Sequence, residues 1–186
     1  MGKKIFLTGK PGVGKTTIML YLIEELKKMG FNVGGFISSE VRVKGVRVGF
    51  KIKDLTSKKE GWLAHINQVF GPKLGKYKVN LKDLNDIGVS SINEAESNPN
   101  IDLIAIDELG PMEFFSFEFK KAVEKIINGK KPLIATIHYK VKDDFLKGLE
   151  NYKVFEVTLE NRESLPKEIL KEIILELKKL KTLMEK

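Results

Sequence analysis

The sequence has no cysteine among its 186 residues, so disulfide bonds and thiolate metal sites are excluded. This absence suits a reducing compartment, and we expect a cytoplasmic protein. No apolar run approaches the ~20 residues that a membrane helix needs. No apolar signal segment precedes the glycines that begin at Gly9. We therefore expect neither a disulfide-rich secreted protein nor a membrane protein.

Arginine and glutamine are also scarce. Lysine and arginine together number 33, but only Arg42, Arg47 and Arg162 are arginines, and Gln68 is the one glutamine. The net charge of +8 would suit a nucleic-acid partner. The lysines are scattered among glutamates, however, which is typical of the surfaces of heat-stable proteins. A nucleic-acid partner is therefore possible but not favoured.

Strand and helix patterns alternate along most of the chain. Apolar runs predict five strands, at residues 3–8, 33–37, 102–107, 132–137 and 152–158, and the continuous apolarity of several of them is typical of buried parallel strands. Helical periodicity predicts helices at residues 16–29, 114–128, 143–149 and 165–184. This alternation predicts an α/β fold with an open, mostly parallel sheet between two helical layers. We find no boundary within residues 1–186 and expect a single domain.

Two regions depart from this alternation. Residues 35–55 alternate between apolar and polar, and Lys44-Gly45 in the middle can form a two-residue turn, which predicts an antiparallel hairpin. Residues 71–99 are polar and predict an insertion with a short strand at residues 77–79 and a weak helix at residues 81–97. Both regions are expected to lie within the single domain.

A phosphate-binding loop is predicted between the first strand and the first helix. The segment GKPGVGKT matches the pattern G-x-x-x-x-G-K-[ST]. Its glycines permit backbone conformations that turn successive N–H groups inward, which creates an anion site at the start of a helix. The lysine supplies charge for the β- and γ-phosphates, and the threonine hydroxyl is a hard ligand for Mg²⁺. The predicted nucleotide-binding residues here are Gly9, Lys10, Pro11, Gly12, Val13, Gly14, Lys15, Thr16 and Thr17.

Two adjacent acids, Asp107 and Glu108, end a buried strand. At the carboxyl end of a parallel strand both can reach the crevice where ligands bind. Asp107 is the predicted partner of Thr16 in holding Mg²⁺, and Glu108 can orient or deprotonate an attacking water. The alternative is that Asp107 caps the following helix and Glu108 faces solvent.

The class of protein that such acids indicate also predicts the order of strands in the sheet. In this class, the strand at residues 132–137 lies between the phosphate-loop strand and the Asp107 strand. Thr136 and His138, at the end of that middle strand, would then face the γ-phosphate. The alternatives are an ordinary polar residue at a strand end for Thr136 and a surface histidine for His138.

Each of the three arginines is a candidate nucleotide ligand. With a turn at Lys44-Gly45, Arg42 lies directly opposite Arg47, and like charges at opposed positions are unfavourable. Either Glu40 or a bound triphosphate could relieve them. Arg162 follows the last strand and could stack on the base, pair with a phosphate, or form a structural ion pair.

These features together resemble the small nucleoside-triphosphatase family first described from thermophiles, which has a human member called cancer-related nucleoside-triphosphatase. The resemblance spans most of the chain, and the hairpin and the DELGPME run are its more specific parts. The matching segments are TGKPGVGKTT (8–17), EVRVKGVRVGFKIKDL (40–55), GKYKV (75–79), LIAIDELGPMEF (103–114) and the tail IATIH…LENRESLP (134–166).

The resemblance implies a monomeric, Mg²⁺-dependent hydrolase that converts ATP, GTP and other nucleoside triphosphates to diphosphate and phosphate. It also implies a P-loop core similar to those of RecA and AAA+ proteins. Carried over by position, the nucleotide-binding residues include Asp107, Glu108, Leu109 and Gly110, with Glu108 and Lys15 catalytic. Two alternatives stay open, a nucleotide or polynucleotide kinase and a nucleotide-dependent nucleic-acid-binding factor.

Overall fold

The computed structural model describes residues 2–184 and contains one nine-stranded sheet with helices on both faces. The strands are β1 (Lys4–Thr8), β2 (Val33–Val43), β3 (Val46–Asp54), β4 (Glu60–His65), β5 (Lys73–Leu74), β6 (Tyr77–Val79), β7 (Leu103–Leu109), β8 (Leu133–Ile137) and β9 (Tyr152–Glu156). The helices are α1 (Lys15–Lys28), α2 (Leu81–Asp83), α3 (Ser90–Ser97), α4 (Phe117–Asn128), α5 (Lys142–Leu146) and α6 (Leu165–Met184).

The strand order is β5-β6-β4-β3-β2-β7-β8-β1-β9. Strands β2, β7, β8, β1 and β9 are mutually parallel, which confirms the predicted mostly parallel α/β sheet. Strand β8 lies between β1 and β7, as predicted. The carboxyl ends of these strands therefore meet at one edge of the sheet, where ligands bind in open α/β folds.

The predicted hairpin is present, and its antiparallel pairing spans Phe36 to Asp54, close to the predicted residues 35–55. Strand β2 pairs in parallel with β7 through Ile37, level with Asp107, and its antiparallel pairing with β3 runs from Phe36 to the tip. Its turn is Lys44-Gly45, with φ of 49° and 79°. One long strand thus links the two halves of the sheet, and the antiparallel half continues through β4, β6 and β5.

The polar segment 71–99 does not form a separate body. Its strands β5 and β6 complete the antiparallel half of the sheet. Its helices α2 and α3 are joined by a π-helical segment, Leu84–Val89, so the predicted weak helix is one continuous helical stretch. Leu84, Ile87 and Ile92 from this stretch are buried against the sheet.

Two apolar clusters lie on opposite faces of the sheet. One joins α1 and α6 to the strands through residues such as Leu22 and Ile169, and the other joins α3 and α4 through Ile92 and Phe119. Helix α4 begins at Phe117, after Ser116, whose hydroxyl accepts a hydrogen bond from the Phe119 N–H at 3.0 Å. Such a cap satisfies a free backbone donor at a helix start, and it places the start of α4 three residues later than predicted.

None of the helices within residues 2–184 combines the length and apolarity that crossing a membrane requires.

Candidate nucleotide-binding site

The phosphate-loop sequence forms a tight turn between β1 and α1. Gly9, Gly12 and Gly14 have φ of 142°, 79° and 109°, a region that side chains other than glycine rarely adopt. Gly9 also lies directly against the Val157 carbonyl, so a side chain there would clash. Val13 is buried in the α1 face of the core, whereas Lys10, Pro11, Thr16 and Thr17 are exposed. The loop is thus anchored by Val13 and presents its remaining groups at the carboxyl edge.

Lys15 is the first residue of α1, and its ammonium group lies over the loop. It donates hydrogen bonds to the carbonyl groups of Gly9 (3.1 Å) and Lys10 (3.4 Å). The same nitrogen is 3.9 Å from Oε1 of Glu108. The loop lysine and the second acid of the pair therefore face each other across the end of the sheet.

Asp107 is buried at the end of β7 and is 2% exposed. The Thr136 hydroxyl at the end of β8 donates a hydrogen bond to its Oδ1. Burial raises the pKa of Asp107, while Thr136, Thr16 and Lys15 act in the opposite direction. Thr16 therefore lies close to Asp107 although it belongs to α1, and the structure brings these two predicted metal ligands together.

The other oxygen of Asp107, Oδ2, is buried and has no hydrogen-bond partner among residues 2–184. An unpaired buried carboxylate oxygen is unfavourable unless a cation or a donor reaches it. Together with the Thr16 hydroxyl it offers two hard oxygen ligands, the type that Mg²⁺ prefers. In the described part of the chain, no group of three or more acidic, histidine or cysteine residues could enclose a metal. A cation held here would draw its other ligands from phosphate and water.

Glu108 follows Asp107 through a cis peptide bond and is partly exposed at the strand end. Burial is the main cause that raises its pKa, to about 7. The charge of Lys15 acts against this rise in the pKa, and the charge of Asp107 contributes to it. A carboxylate with a pKa near the working pH can accept a proton and release it again. This environment is compatible with the predicted role of Glu108 as a general base.

The residues after the acid pair differ in what they offer. The Leu109 side chain is fully buried in the core, so only its backbone can serve a ligand, and its carbonyl accepts a hydrogen bond from the His138 N–H at 3.0 Å. Gly110 lies beside His138 and Glu108. Burial, followed by the charges of Lys15 and Lys140, lowers the pKa of His138. The structure therefore places His138 at the site, as the strand order predicts.

Glu113 is a third acid at this edge, and the sequence analysis did not single it out. It is 4% exposed. Burial, followed by the negative charge of Glu108, raises its pKa to about 8. The sequence contains one indication that Glu113 is unusual. This acid stands between Met112 and two phenylalanines, shortly after Gly110 and Pro111. An acid in such an apolar setting needs a reason to be there.

The arginines fall into two groups. Arg42 and Arg47 are opposed in the hairpin, as predicted, and Glu40 binds both, at 2.8 Å from Nη1 of Arg47. Arg47 also donates to the Tyr77 hydroxyl at 2.9 Å. Both guanidinium groups are thus paired within the antiparallel half of the sheet, and their role as nucleotide ligands stays a prediction.

Arg162 lies instead at the phosphate loop. Its Cδ is 3.9 Å from the position that a Cβ of Gly14 would occupy. Its side chain is exposed, and within residues 2–184 it forms no ion pair. Arg162 therefore has the position and the free charge that a nucleotide ligand needs.

A family model described as NTPase matches residues 4–170. The chain belongs to this NTPase family. Among relatives, it is 44% identical to the nucleoside-triphosphatase THEP1 of Methanocaldococcus jannaschii over 176 residues. The aligned region covers 94% of this chain and 99% of the relative. It is 47% identical over 170 residues to that of Thermotoga petrophila, which covers 90% of each.

Two solved structures of this NTPase family share the fold. The crystal structure of THEP1 from the hyperthermophile Aquifex aeolicus matches with a TM-score of 0.79 and 30% identity over 91% of this chain and 98% of that chain. The solution structure of a human cancer-related nucleoside triphosphatase matches with a TM-score of 0.75 and 32% identity over 92% and 97%. The resemblance noted from the sequence is confirmed, and so is the P-loop fold.

Proposed function

We propose that this chain hydrolyses nucleoside triphosphates to diphosphate and phosphate, with Mg²⁺ as cofactor and little selection among bases. Membership of the NTPase family supports the reaction class. The observation that carries the assignment of residues is the convergence of Lys15, Asp107 and Glu108 at one edge of the sheet. Lys15 can serve the phosphates, Asp107 has an unpaired oxygen, and Glu108 lies within 3.9 Å of Lys15.

Binding begins at the phosphate loop. The backbone N–H groups between Gly9 and Thr16 and the start of α1 receive the phosphate oxygens. Lys15 exchanges its hydrogen bonds to the loop carbonyls for contacts with the β- and γ-phosphates. Arg162, exposed beside Gly14, contributes a planar cation for the base or a phosphate.

Thr16 and Asp107 would hold Mg²⁺. When bound, this ion would supply positive charge that offsets the negative charge developing on the phosphates during transfer. Thr136 keeps the Asp107 carboxylate in place through its hydrogen bond to Oδ1, so Oδ2 is the oxygen that faces the ion.

Glu108 acts on the attacking water. Its carboxylate orients a water molecule toward the γ-phosphorus and takes a proton from it as the new phosphorus–oxygen bond forms and the bond to the β-phosphate oxygen breaks. Lys15 stabilises the negative charge on the transferred group. The proton then leaves Glu108 with product or solvent, since a pKa of about 7 lets the group return to its basic form.

The decisive variant is Glu108→Gln, which keeps the shape of the side chain and removes the base. We expect it to bind Mg-nucleotide with wild-type affinity and to lose steady-state phosphate release by ~10²-fold or more, the usual scale for a general base. Glu94→Gln, at an exposed position of α3, is the matched control and should be fully active. Unchanged turnover in Glu108→Gln would overturn the assignment of this residue.

Water need not be the final acceptor, and one assay separates the possibilities. Phosphate release is measured for several triphosphates, alone and with nucleosides, nucleotides or polynucleotides added. Release that is equal across bases and indifferent to additives supports the phosphohydrolase. Labelled phosphate on an additive identifies a kinase instead. Turnover stimulated by polynucleotide with a steep salt dependence identifies a nucleic-acid-dependent factor.

A further inference from the structure

The carboxyl group of Glu113 is enclosed although neither the phosphate loop nor the proposed mechanism uses it. Glu113 begins a short 3₁₀ turn, Glu113–Phe115, before α4. The Phe114 N–H donates to the Gly110 carbonyl at 3.1 Å, so the chain returns on itself directly after the acid pair. This turn aims the Glu113 side chain back at the end of β7 rather than at solvent.

Gly110 provides the space in which Glu113 meets Glu108. The position that a Cβ of Gly110 would occupy is 3.0 Å from Oε2 of Glu113 and 3.2 Å from Oε2 of Glu108. Because both oxygens lie so close to one point, they are at most about 6 Å from each other. The two carboxyl groups therefore share one cleft, which the missing side chain of Gly110 leaves open.

We propose that Glu113 is a positioning residue for the hydrolysis reaction, whose carboxyl group packs beside Glu108 and keeps the Glu108 carboxylate turned toward Lys15. This inference rests on the proposed role of Glu108. It assigns a function to the third acid of the DELGPME run, whose carboxyl group lies beside Gly110 and Glu108.

The charges around Glu113 explain why its protonation matters. Asp107 and Glu108 from β7 face it with negative charge, and the backbone N–H groups of Gly110 and Glu113 partly offset them. Lys15 from α1 lies 3.9 Å from Oε1 of Glu108, and His138 after β8 lies beside Gly110. Burial, with these neighbouring acids, raises the pKa of Glu113 to about 8. Below that pH Glu113 is a neutral neighbour, and above it a charge that repels Glu108.

A purely structural carboxyl would behave differently from a positioning one. If Glu113 only held the turn, its loss would lower the stability and the folded fraction of the protein without changing kcat per folded molecule. A positioning role ties the orientation of Glu108 to the charge of Glu113, so the effect must appear in kcat as a function of pH rather than in substrate affinity.

The test is the pH profile of Glu113→Gln. For the wild type we expect kcat to fall several-fold between pH 7.5 and 9.5 as Glu113 ionises. Glutamine matches the size of the neutral acid and cannot ionise, so Glu113→Gln should keep wild-type kcat and KM at pH 7 and lose this alkaline fall. Glu113→Ala, which removes the carboxyl group, should lower kcat by ~10-fold or more with KM nearly unchanged.

Two controls separate positioning from loss of structure. Asp54→Asn changes another buried carboxyl group, which accepts from the Thr56 N–H at 2.7 Å in a turn after β3; its pH profile should match that of the wild type whatever its melting temperature. Gly110→Ala inserts a methyl group between the two glutamates and should lower kcat in the same way as Glu113→Ala.

Several results would overturn the inference. They are a wild-type profile that is flat up to pH 9.5, an alkaline fall that persists in Glu113→Gln, and a loss in Glu113→Ala no larger than its unfolded fraction. The behaviour of Glu108→Gln distinguishes the two claims. If that variant turns over normally, the proposed mechanism fails; if it is inactive while Glu113→Gln retains the wild-type profile, only the positioning role fails.

Discussion

At the scale of single residues, the phosphate loop holds its own lysine in place. Lys15 donates to the carbonyls of Gly9 and Lys10 and faces Glu108, so it is already directed at the position where phosphates bind. Such an arrangement limits the side-chain entropy that is lost on binding.

Lys15→Ala should therefore weaken nucleotide binding itself. A hydrogen bond to a charged group contributes about 1.5–3 kcal/mol, so we expect the dissociation constant to rise by ~10- to 100-fold. Isothermal titration with a non-hydrolysed triphosphate measures this. Lys125→Ala, at an exposed position of α4, should bind normally, and wild-type affinity in Lys15→Ala would contradict the phosphate-loop assignment.

The residues that could be predicted are those whose sequence patterns involve only neighbouring positions. Gly9, Lys15 and Thr16 stand in one short pattern whose chemistry depends only on neighbours in sequence. Asp107 was recognisable because a buried strand ends there. Glu113 was missed because its role depends on the cleft beside Gly110, and a cleft is formed by packing that no local pattern records.

At the scale of elements, the hairpin of β2 and β3 also combines features that local sequence patterns predict with features that they do not. Its alternation and its Lys44-Gly45 turn are local, and both were predicted. The fusion of its first strand with the parallel strand at residues 33–37, and the addition of β4 and β5, depend on pairing between distant segments. The bulge at Val41/Arg42 also breaks the regular alternation, and Val43 and Val46 are exposed where the pattern placed them on an apolar face.

The tip of this hairpin offers a test of Arg47. The residue binds Glu40 and Tyr77, and its guanidinium carbon lies 5.2 Å from the centre of the Phe50 ring. We expect Arg47→Ala to lower the free energy of unfolding by about 1 kcal/mol, as for a partly exposed ion pair with one added hydrogen bond, and to leave KM unchanged. Urea unfolding and steady-state kinetics measure the two effects. Arg162→Ala is the comparison, since its loss should raise KM. If Arg47→Ala instead raised KM and left stability unchanged, the predicted role of Arg47 as a nucleotide ligand would be supported.

At the scale of the whole molecule, the site acids set how stability depends on pH. Burial raises the pKa of Asp107, of Glu108 to about 7 and of Glu113 to about 8. The folded protein therefore holds more protons than the unfolded chain between about pH 4.5 and 8, and the free energy of unfolding must fall as pH rises through that range. The lowered pKa values of His138 and of Lys4, the latter to about 8, act in the opposite direction in the upper part of this range.

We expect the nucleotide-free protein to be more stable at pH 5.5 than at pH 8, by on the order of a few kcal/mol given ~1.4 kcal/mol per unit of pKa shift. Urea unfolding at the two pH values measures the difference. Glu113→Gln should reduce it, because its side chain carries no titratable proton. Stability that rises between pH 5.5 and 8 would show that these acids are not buried as the structure places them.

The order of the parallel strands was predictable because P-loop proteins with this pair of acids place β8 between β1 and β7. The number of strands in the sheet could not be predicted in this way. Its antiparallel half rests on β4 and β5, which carry weak signals, and on β6, a run of three residues. The cytoplasmic location and the monomeric state stay predictions.

The two outer strands of the sheet also affect how readily copies of the protein aggregate. An outer strand carries unpaired backbone groups and can template the addition of another chain. Here β5 is only two residues long, and β9 carries Lys153, which is bound by Glu172 of α6 at 2.9 Å. A short strand and a strand guarded by charge are poor templates for edge-to-edge aggregation. The edges of this nine-stranded sheet are therefore poorly suited to starting a fibril.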